Sequence, residues 1–357
     1  MDKLTHYFPE DIRLIRWIED KMHLAKYNLS LSGLEEPDFA SMGVDTSLES
    51  MRREARDAGA YFKEILADLY GYERNEVFLT TGGSEAIFLI SLLARAEGMT
   101  VFTGLPEYEP IFNVPQNMGN PVESYPFSSL PSRISEKSGN KAAFLSNPNN
   151  PIGNLHSGEF LSEIRDSVGK TGFTYVDEAF LEFVMQEKPK SVYDGMPDLM
   201  INGSLTKFYG FSGMRVGWII ADAEKLKKLN VIRTITGTRN PSYPLWIAGQ
   251  CLLNRHRFQE RSRKIVEPNL KILSSIVESH EGIGWQVPHH APFGLVRYSR
   301  KIDSEVLCNI ALEKYGLFLD PGDFFGEPGS FRVCFTSRPD VFAESMEVFT
   351  RFIEREL

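Results

Sequence analysis

Asn202-Gly203-Ser204-Leu205-Thr206-Lys207-Phe208-Tyr209-Gly210-Phe211-Ser212-Gly213-Met214-Arg215-Val216-Gly217 is the stretch on which the reading of this 357-residue chain turns. An apolar run, Leu199–Ser204, is followed by a hydroxyl residue, a lysine, several glycines and an arginine. An ammonium at the end of a buried strand is costly without a partner. It makes chemical sense if the amine is consumed in a Schiff base, a reaction that exploits a lysine pKa lowered by desolvation. Ser204, Thr206 and Arg215 would then hold an anion beside Lys207. Taken alone, the stretch fits equally well a snorkelling surface lysine in a glycine-rich turn.

Outward from it, short β-branched or aromatic runs alternate with longer helical stretches. Glu76–Thr81, Thr100–Gly104, Lys141–Ser146, Phe173–Glu178, Leu199–Ser204 and Val216–Ala221 read as buried strands. Glu85–Glu97, Tyr108–Met118, Gly158–Val168 and the short Tyr193–Asp198 read as helices between them. The alternation predicts an α/β fold with a mostly parallel sheet covered by helices on both faces, and ligands at the carboxyl ends of its strands. From about Leu252 the rhythm changes. Arg255–Ser279 is a long amphipathic helix that Pro268 should kink or interrupt. Strand signals at Gly294–Tyr298 and Phe331–Phe335 and a closing helix over Asp340–Leu357 follow, with Phe342, Met346, Phe349 and Ile353 as a core stripe. The expected division is a large domain over 41–251, a smaller α+β domain over 252–357, and an N-terminal segment, 1–40, packing with the smaller one.

Composition narrows the function. With 39 basic against 48 acidic side chains the formal charge is −9, which disfavours a nucleic-acid partner. No apolar run reaches the length of a membrane span, and Met1–His6 carries no apolar signal region, so the expectation is no membrane partner and a cytoplasmic location. Cys251, Cys308 and Cys334 are scattered and read as buried small hydrophobes. His289-His290 read as diverging in a strand, with no metal site.

Three further stretches carry chemistry. Val77-Phe78-Leu79-Thr80-Thr81-Gly82-Gly83-Ser84-Glu85 is strand, glycine turn and helix start, a cradle for one small phosphate in which Ser84 is either a ligand or a helix N-cap. Ser146-Asn147-Pro148-Asn149-Asn150-Pro151-Ile152-Gly153 is a rigid turn that either holds an amide at the sheet edge or is a plain Asn-Pro turn. Thr174-Tyr175-Val176-Asp177-Glu178-Ala179-Phe180 sets a carboxylate at a strand end, where it wants a cation such as a protonated pyridine nitrogen or else caps a helix.

In that order, from about Leu31 to Arg338, the stretches together resemble the class I/II, fold-type-I aminotransferases that depend on pyridoxal 5′-phosphate. The resemblance implies Lys207 as the Schiff-base lysine and Asp177 as partner of the pyridine nitrogen. It implies Asn150 at the ring hydroxyl, Gly83, Ser84, Ser204, Thr206 and Arg215 as the phosphate cup, and Tyr108 of Pro106-Glu107-Tyr108 stacked on the ring. Gly33, in Leu31-Ser32-Gly33-Leu34, matches the segment closing over the substrate carboxylate. Arg332 matches the arginine that holds it, a task for a planar fork. Arg338 serves as a surface control.

The resemblance also implies a homodimer acting on a small amino acid and a 2-oxo acid by transamination. The alternatives are a decarboxylase or β-eliminating lyase on the same cofactor, or a ligand-sensing regulator, for which the chain has too few residues outside the lobes. Two positions depart from the family. Phe180 stands where a tyrosine is common, which should raise the pKa of the lysine–cofactor Schiff base. Val44–Ala60 lacks the tyrosine sent to a neighbouring subunit, for which Tyr61 is the candidate substitute.

Overall fold

Seven strands, six of them mostly apolar runs, form the central sheet of the computed structural model, which describes residues 9–184, 190–237 and 239–357. They are β1 (Val77–Thr80), β2 (Thr100–Leu105), β3 (Val122–Pro126), β4 (Lys141–Ser146), β5 (Phe173–Asp177), β6 (Leu199–Ser204) and β7 (Gly217–Ile220). Their order is β1-β7-β6-β5-β4-β2-β3, and β7 alone among them runs against its neighbours. Every residue of β1, β5, β6 and β7 is buried. That is why these strands read as continuous apolar runs rather than as alternating ones.

One layer packs Phe62, Leu66, Trp246 and Phe258 on one face of the sheet. The other carries the Ile87, Leu89, Ile90 and Leu93 stripe of the helix Gly83–Ala96. A four-stranded antiparallel sheet is built from Ile283–Trp285, Phe293–Tyr298, Asp320–Pro321 and Ser330–Cys334. It holds a third core with Leu14, Trp17, Phe318, Phe342, Met346, Phe349 and Ile353. Tyr27–Asn28 pairs in parallel with Leu317–Phe318, so the N-terminal segment joins this third core. All three cysteines are buried and free.

Several expectations need correction. Tyr193–Asp198 is not a helix: Gly195 sits at φ +80°, Pro197 follows, and Asp194 takes the Met196 N–H into a turn. Arg255–Ser279 continues across Pro268 without interruption, since a 25-residue helix packed on the core outweighs the one hydrogen bond proline removes. His289 and His290 lie in a bend, with ring centroids 6.2 Å apart. Strand β3 carries no apolar run because it is a half-exposed edge. The helices Ala58–Tyr70, Ala223–Arg233 and Ser304–Tyr315, also not anticipated, start at Asp57, Asp222 and Asp303, each capping with its carboxylate. Met1–His6 lies outside the described residues. No described helix is long and apolar enough to cross a membrane.

Candidate active site

The carboxyl ends of β1, β2, β4, β5 and β6 open on one edge of the sheet, and the turns that leave them line a single cavity of about 480 Å³. All twelve residues singled out from sequence reach it: Gly33, Gly83, Ser84, Tyr108, Asn150, Asp177, Phe180, Ser204, Thr206, Lys207, Arg215 and Arg332. Arg338, the surface control, is exposed and pairs with Asp340.

After β1 the chain turns through Gly82, at φ +89°, into the helix Gly83–Ala96, whose first turn has no side-chain cap. Ser84 is therefore inside the helix, not its N-cap, and the helix start presents uncapped N–H groups. A Cβ at Gly82 would stand 2.8 Å from Arg215 Nη2, so only glycine lets the guanidinium lie against this turn. Arg215 is the one described non-glycine residue at positive φ, 52°, a strained backbone of the kind that functional sites retain. Ser204 Oγ and Thr206 Oγ1 are 2.9 Å apart. Two hydroxyls, a guanidinium and a helix N-terminus make a cradle for a dianion.

Lys207 Nζ donates to Ser32 Oγ at 3.0 Å. Burial, and then the positive charge of Arg332, push its pKa down to about 8. Gly33 packs closely on this strand end: a Cβ there would lie 3.0 Å from Thr206 O, and Leu34 N donates to Lys207 O. Asp177 ends β5 and accepts from Ala179 N at 2.9 Å in a tight turn rather than a helix cap. Burial raises its pKa, and that N–H, the Asn202 side chain and the Lys207 ammonium oppose the rise. A cation on the open side of the carboxylate would hold it ionised. Asn202 is buried at the neighbouring strand end, with its Nδ2 close to Gly83. The Phe180 ring, packed edge-on against Phe293, has its centroid 5.7 Å from Lys207 Nζ.

Sequence reasoning missed what fixes these groups. Glu107 is buried and its pKa pushed up to about 8 by that burial. Its carboxylate accepts from Tyr108 N, Ser146 N and Ser146 Oγ, while Ser146 Oγ accepts from Asn150 N. One side chain thus clamps the Tyr108 turn to the Asn150 turn. Arg332 is paired with the fully buried Asp320, from Nη2 at 2.6 Å and from Nε at 3.1 Å, and its Nη1 donates to Asn150 Oδ1 at 2.7 Å. Ser30 Oγ donates to the other oxygen of Asp320. The signal for Asp320 was visible as a lone carboxylate ending the run Leu317-Phe318-Leu319. Tyr61 is engaged within its own chain, accepting from Gln250 Nε2 and packing on Trp246.

The cradle, the strand-end carboxylate and the amine of depressed pKa suit a phosphorylated pyridine aldehyde on three counts. The Gly82 cradle could take its phosphate, Asp177 could face its ring nitrogen and Lys207 could react with its carbonyl. The comparisons agree. A histidinol-phosphate aminotransferase of Archaeoglobus fulgidus is 27% identical over 248 residues, 68% of this chain and 69% of that protein. One from Ralstonia nicotianae is 23% identical over 83% of this chain and 80% of its own. A PLP-dependent aminotransferase structure from Streptococcus suis superposes with a TM-score of 0.82 over 99% of both chains, at 21% identity, a likeness of fold. The model of aminotransferase class I and II matches residues 54–347, which favours amino transfer over decarboxylation or elimination on the same scaffold. By that match over most of its length, the chain belongs to the class I and II aminotransferases and is a pyridoxal 5′-phosphate-dependent transaminase of fold type I.

Proposed function

We propose that the amino group moves between an L-amino acid and a 2-oxo acid at Lys207, with the surrounding side chains in the roles that follow. The observation that carries this is the Lys207 amine, facing the cavity with its pKa near 8 and set between Asp177 and Arg332. When bound, pyridoxal 5′-phosphate supplies the aldehyde carbon and the electron-accepting ring. Gly83, Ser84, Ser204, Thr206 and Arg215 hold its phosphate. Asp177 would hold the ring nitrogen and stay ionised against it, Tyr108 would stack on the ring, and Phe180 stands where a hydroxyl donor to the ring oxygen is common. Asn150 Oδ1 is taken by Arg332, which leaves Nδ2 for the ring hydroxyl.

Lys207 would act first as nucleophile and then as general base and acid, taking the proton from the substrate Cα and holding it for redelivery. Arg332, Asn150 and the Gly33 segment would hold the α-carboxylate, presenting Cα–H rather than the carboxylate for cleavage. We propose the division 1–40, 41–251 and 252–357 for the N-terminal segment, the large domain and the small domain. A cytoplasmic homodimer is the proposed form of the enzyme.

The test is borohydride treatment of the protein loaded with the cofactor, peptide mass mapping, and a product screen over amino donors and oxo acids. The expected result is a mass increment at Lys207, with an oxo acid and an aminated acceptor as products. Release of CO₂, or of ammonia with pyruvate, as the main outcome overturns transamination. A label elsewhere overturns Lys207.

A further inference from the structure

One wall of the cavity has no role in this scheme. The helix Arg13–Lys21 is fixed at its start by Glu109, whose carboxylate accepts from Arg13 N at 2.9 Å and Leu14 N at 2.6 Å. It is fixed on its inner side by Trp17, whose indole N–H donates to Leu319 O at 3.0 Å. Glu109 adjoins Tyr108 and Leu319 adjoins Asp320, so the helix is held between the aromatic turn and the carboxylate partner of Arg332. Ile15, Ile18 and Met22 recur at three and four residues, the spacing of one helix face, and all three line the cavity. Trp17 is spent in the core and Leu14 is buried where it meets the cavity, whereas Ile15 and Ile18 are only partly covered and Met22 is 40% exposed. A rigid apolar stripe left open to a cavity is the lining expected of a site for an apolar group.

Charge points the same way. Among the described residues lining the cavity the cations are Lys207, Arg215 and Arg332. The first is the reacting amine, the second lies at the phosphate cradle, and the third is already neutralised by Asp320. Glu35 and Glu36, exposed and also lining the cavity, add negative charge at its rim. A second phosphate or a side-chain carboxylate would find repulsion here and no spare cation among these residues.

We infer that the Ile15–Ile18–Met22 face is the side-chain subsite, and that the amino substrate is a monocarboxylate with an apolar aliphatic or aromatic side chain. This rests on the transaminase reading and separates the chain from the phosphorylated substrate in the names of its relatives.

The test uses the cofactor-loaded enzyme in two measurements. Calorimetry compares 4-methylpentanoate and 3-phenylpropanoate with succinate and histidinol phosphate. Half-reaction rates compare leucine with alanine in the wild type, Ile18→Asp and Ile18→Ala. The apolar acids should bind about tenfold or more tightly than succinate or the phosphorylated amine, and the leucine-to-alanine ratio of kcat/KM should fall about tenfold in Ile18→Asp and less in Ile18→Ala. Tighter binding of succinate or histidinol phosphate overturns the subsite while leaving the transaminase intact, as does an unchanged ratio in both variants. Failure to take up the cofactor and to aminate any oxo acid overturns the transaminase reading beneath it.

Discussion

At the sheet end of the cavity every polar group leaves the tip of a β-strand within a few residues: Ser84 after β1, Tyr108 after β2, Asn150 after β4, Asp177 at the end of β5, Lys207 after β6. At the opposite end Arg332 is held by Asp320, by Asn150 and by the carbonyl of Ser30, residues up to 302 positions away in the chain. The first end is a set of local turns arrayed by one sheet. The second exists only where three separate segments meet. The sheet end can therefore serve one invariant cofactor, while the assembled end is free to change its substrate by exchanging a helix face or a buried partner. Asp320 is such a partner, since it leaves Arg332 fewer free donors for a substrate carboxylate.

The contrast can be broken most directly at the sheet end. Lys207→Ala removes nucleophile and proton carrier together and should slow turnover by about 10⁴-fold or more, on the order of 5 kcal/mol of barrier, measured in single-turnover kinetics. Activity within a few-fold of wild type would displace Lys207 from the reaction.

At the assembled end, Arg332→Ala should act chiefly on KM for carboxylate donors, by roughly 10- to 100-fold, with kcat less affected, if a charged hydrogen bond of about 1.5–3 kcal/mol is lost. A fall confined to kcat would move the carboxylate site elsewhere. Because Asp320 loses its cation in that variant, thermal unfolding should be followed in parallel.

A third measurement sharpens the electrostatics that join the two ends. The nucleophile is the free amine, present above the pKa, so the rate at which cofactor-free enzyme captures an aldehyde should rise with pH with a midpoint near 8 rather than near the usual lysine value. Arg332→Met removes a neighbouring positive charge and should move that midpoint upward. A wild-type midpoint near 10 would mean that Lys207 is hydrated rather than buried.

Asp320→Asn keeps the shape of the pair and removes the competing anion. It should lower KM for monocarboxylate donors a few-fold, about 1 kcal/mol or less, with kcat nearly unchanged. An increase would make Asp320 a clamp that Arg332 requires rather than a competitor. The smallest effect is expected from Phe180→Tyr, which adds a phenol beside Lys207. The pH titration of the visible band of the loaded enzyme should shift downward, by about one unit or less. No shift would separate Phe180 from the cofactor's acid–base chemistry.

Much of the site was legible because it is local. Gly82-Gly83-Ser84, Asn150, Asp177 and the Lys207 stretch are each a strand end followed by turn chemistry, and a buried parallel strand announces itself as a short apolar run. β3 was not legible, because a half-exposed edge strand carries no such run. Pro268 does not interrupt its helix, because the local penalty was outweighed by packing along its length. The clamp by Glu107 and the wall formed by Ile15 and Ile18 stayed hidden, since neither a buried carboxylate nor an amphipathic face reveals in sequence what it will touch.

The sequence by itself determined the fold class and the residues at the strand tips, because spacing along one chain sets those turns, and the cofactor followed from the family those turns together resemble. Tertiary structure alone decided that Lys207 would donate to Ser32, that Arg332 would be neutralised before any substrate arrives, and that a helix from the N-terminal segment would turn its apolar face into the cavity. These depend on which distant surfaces come within a few ångströms of each other, and hydrogen bonds and burial act only over that range.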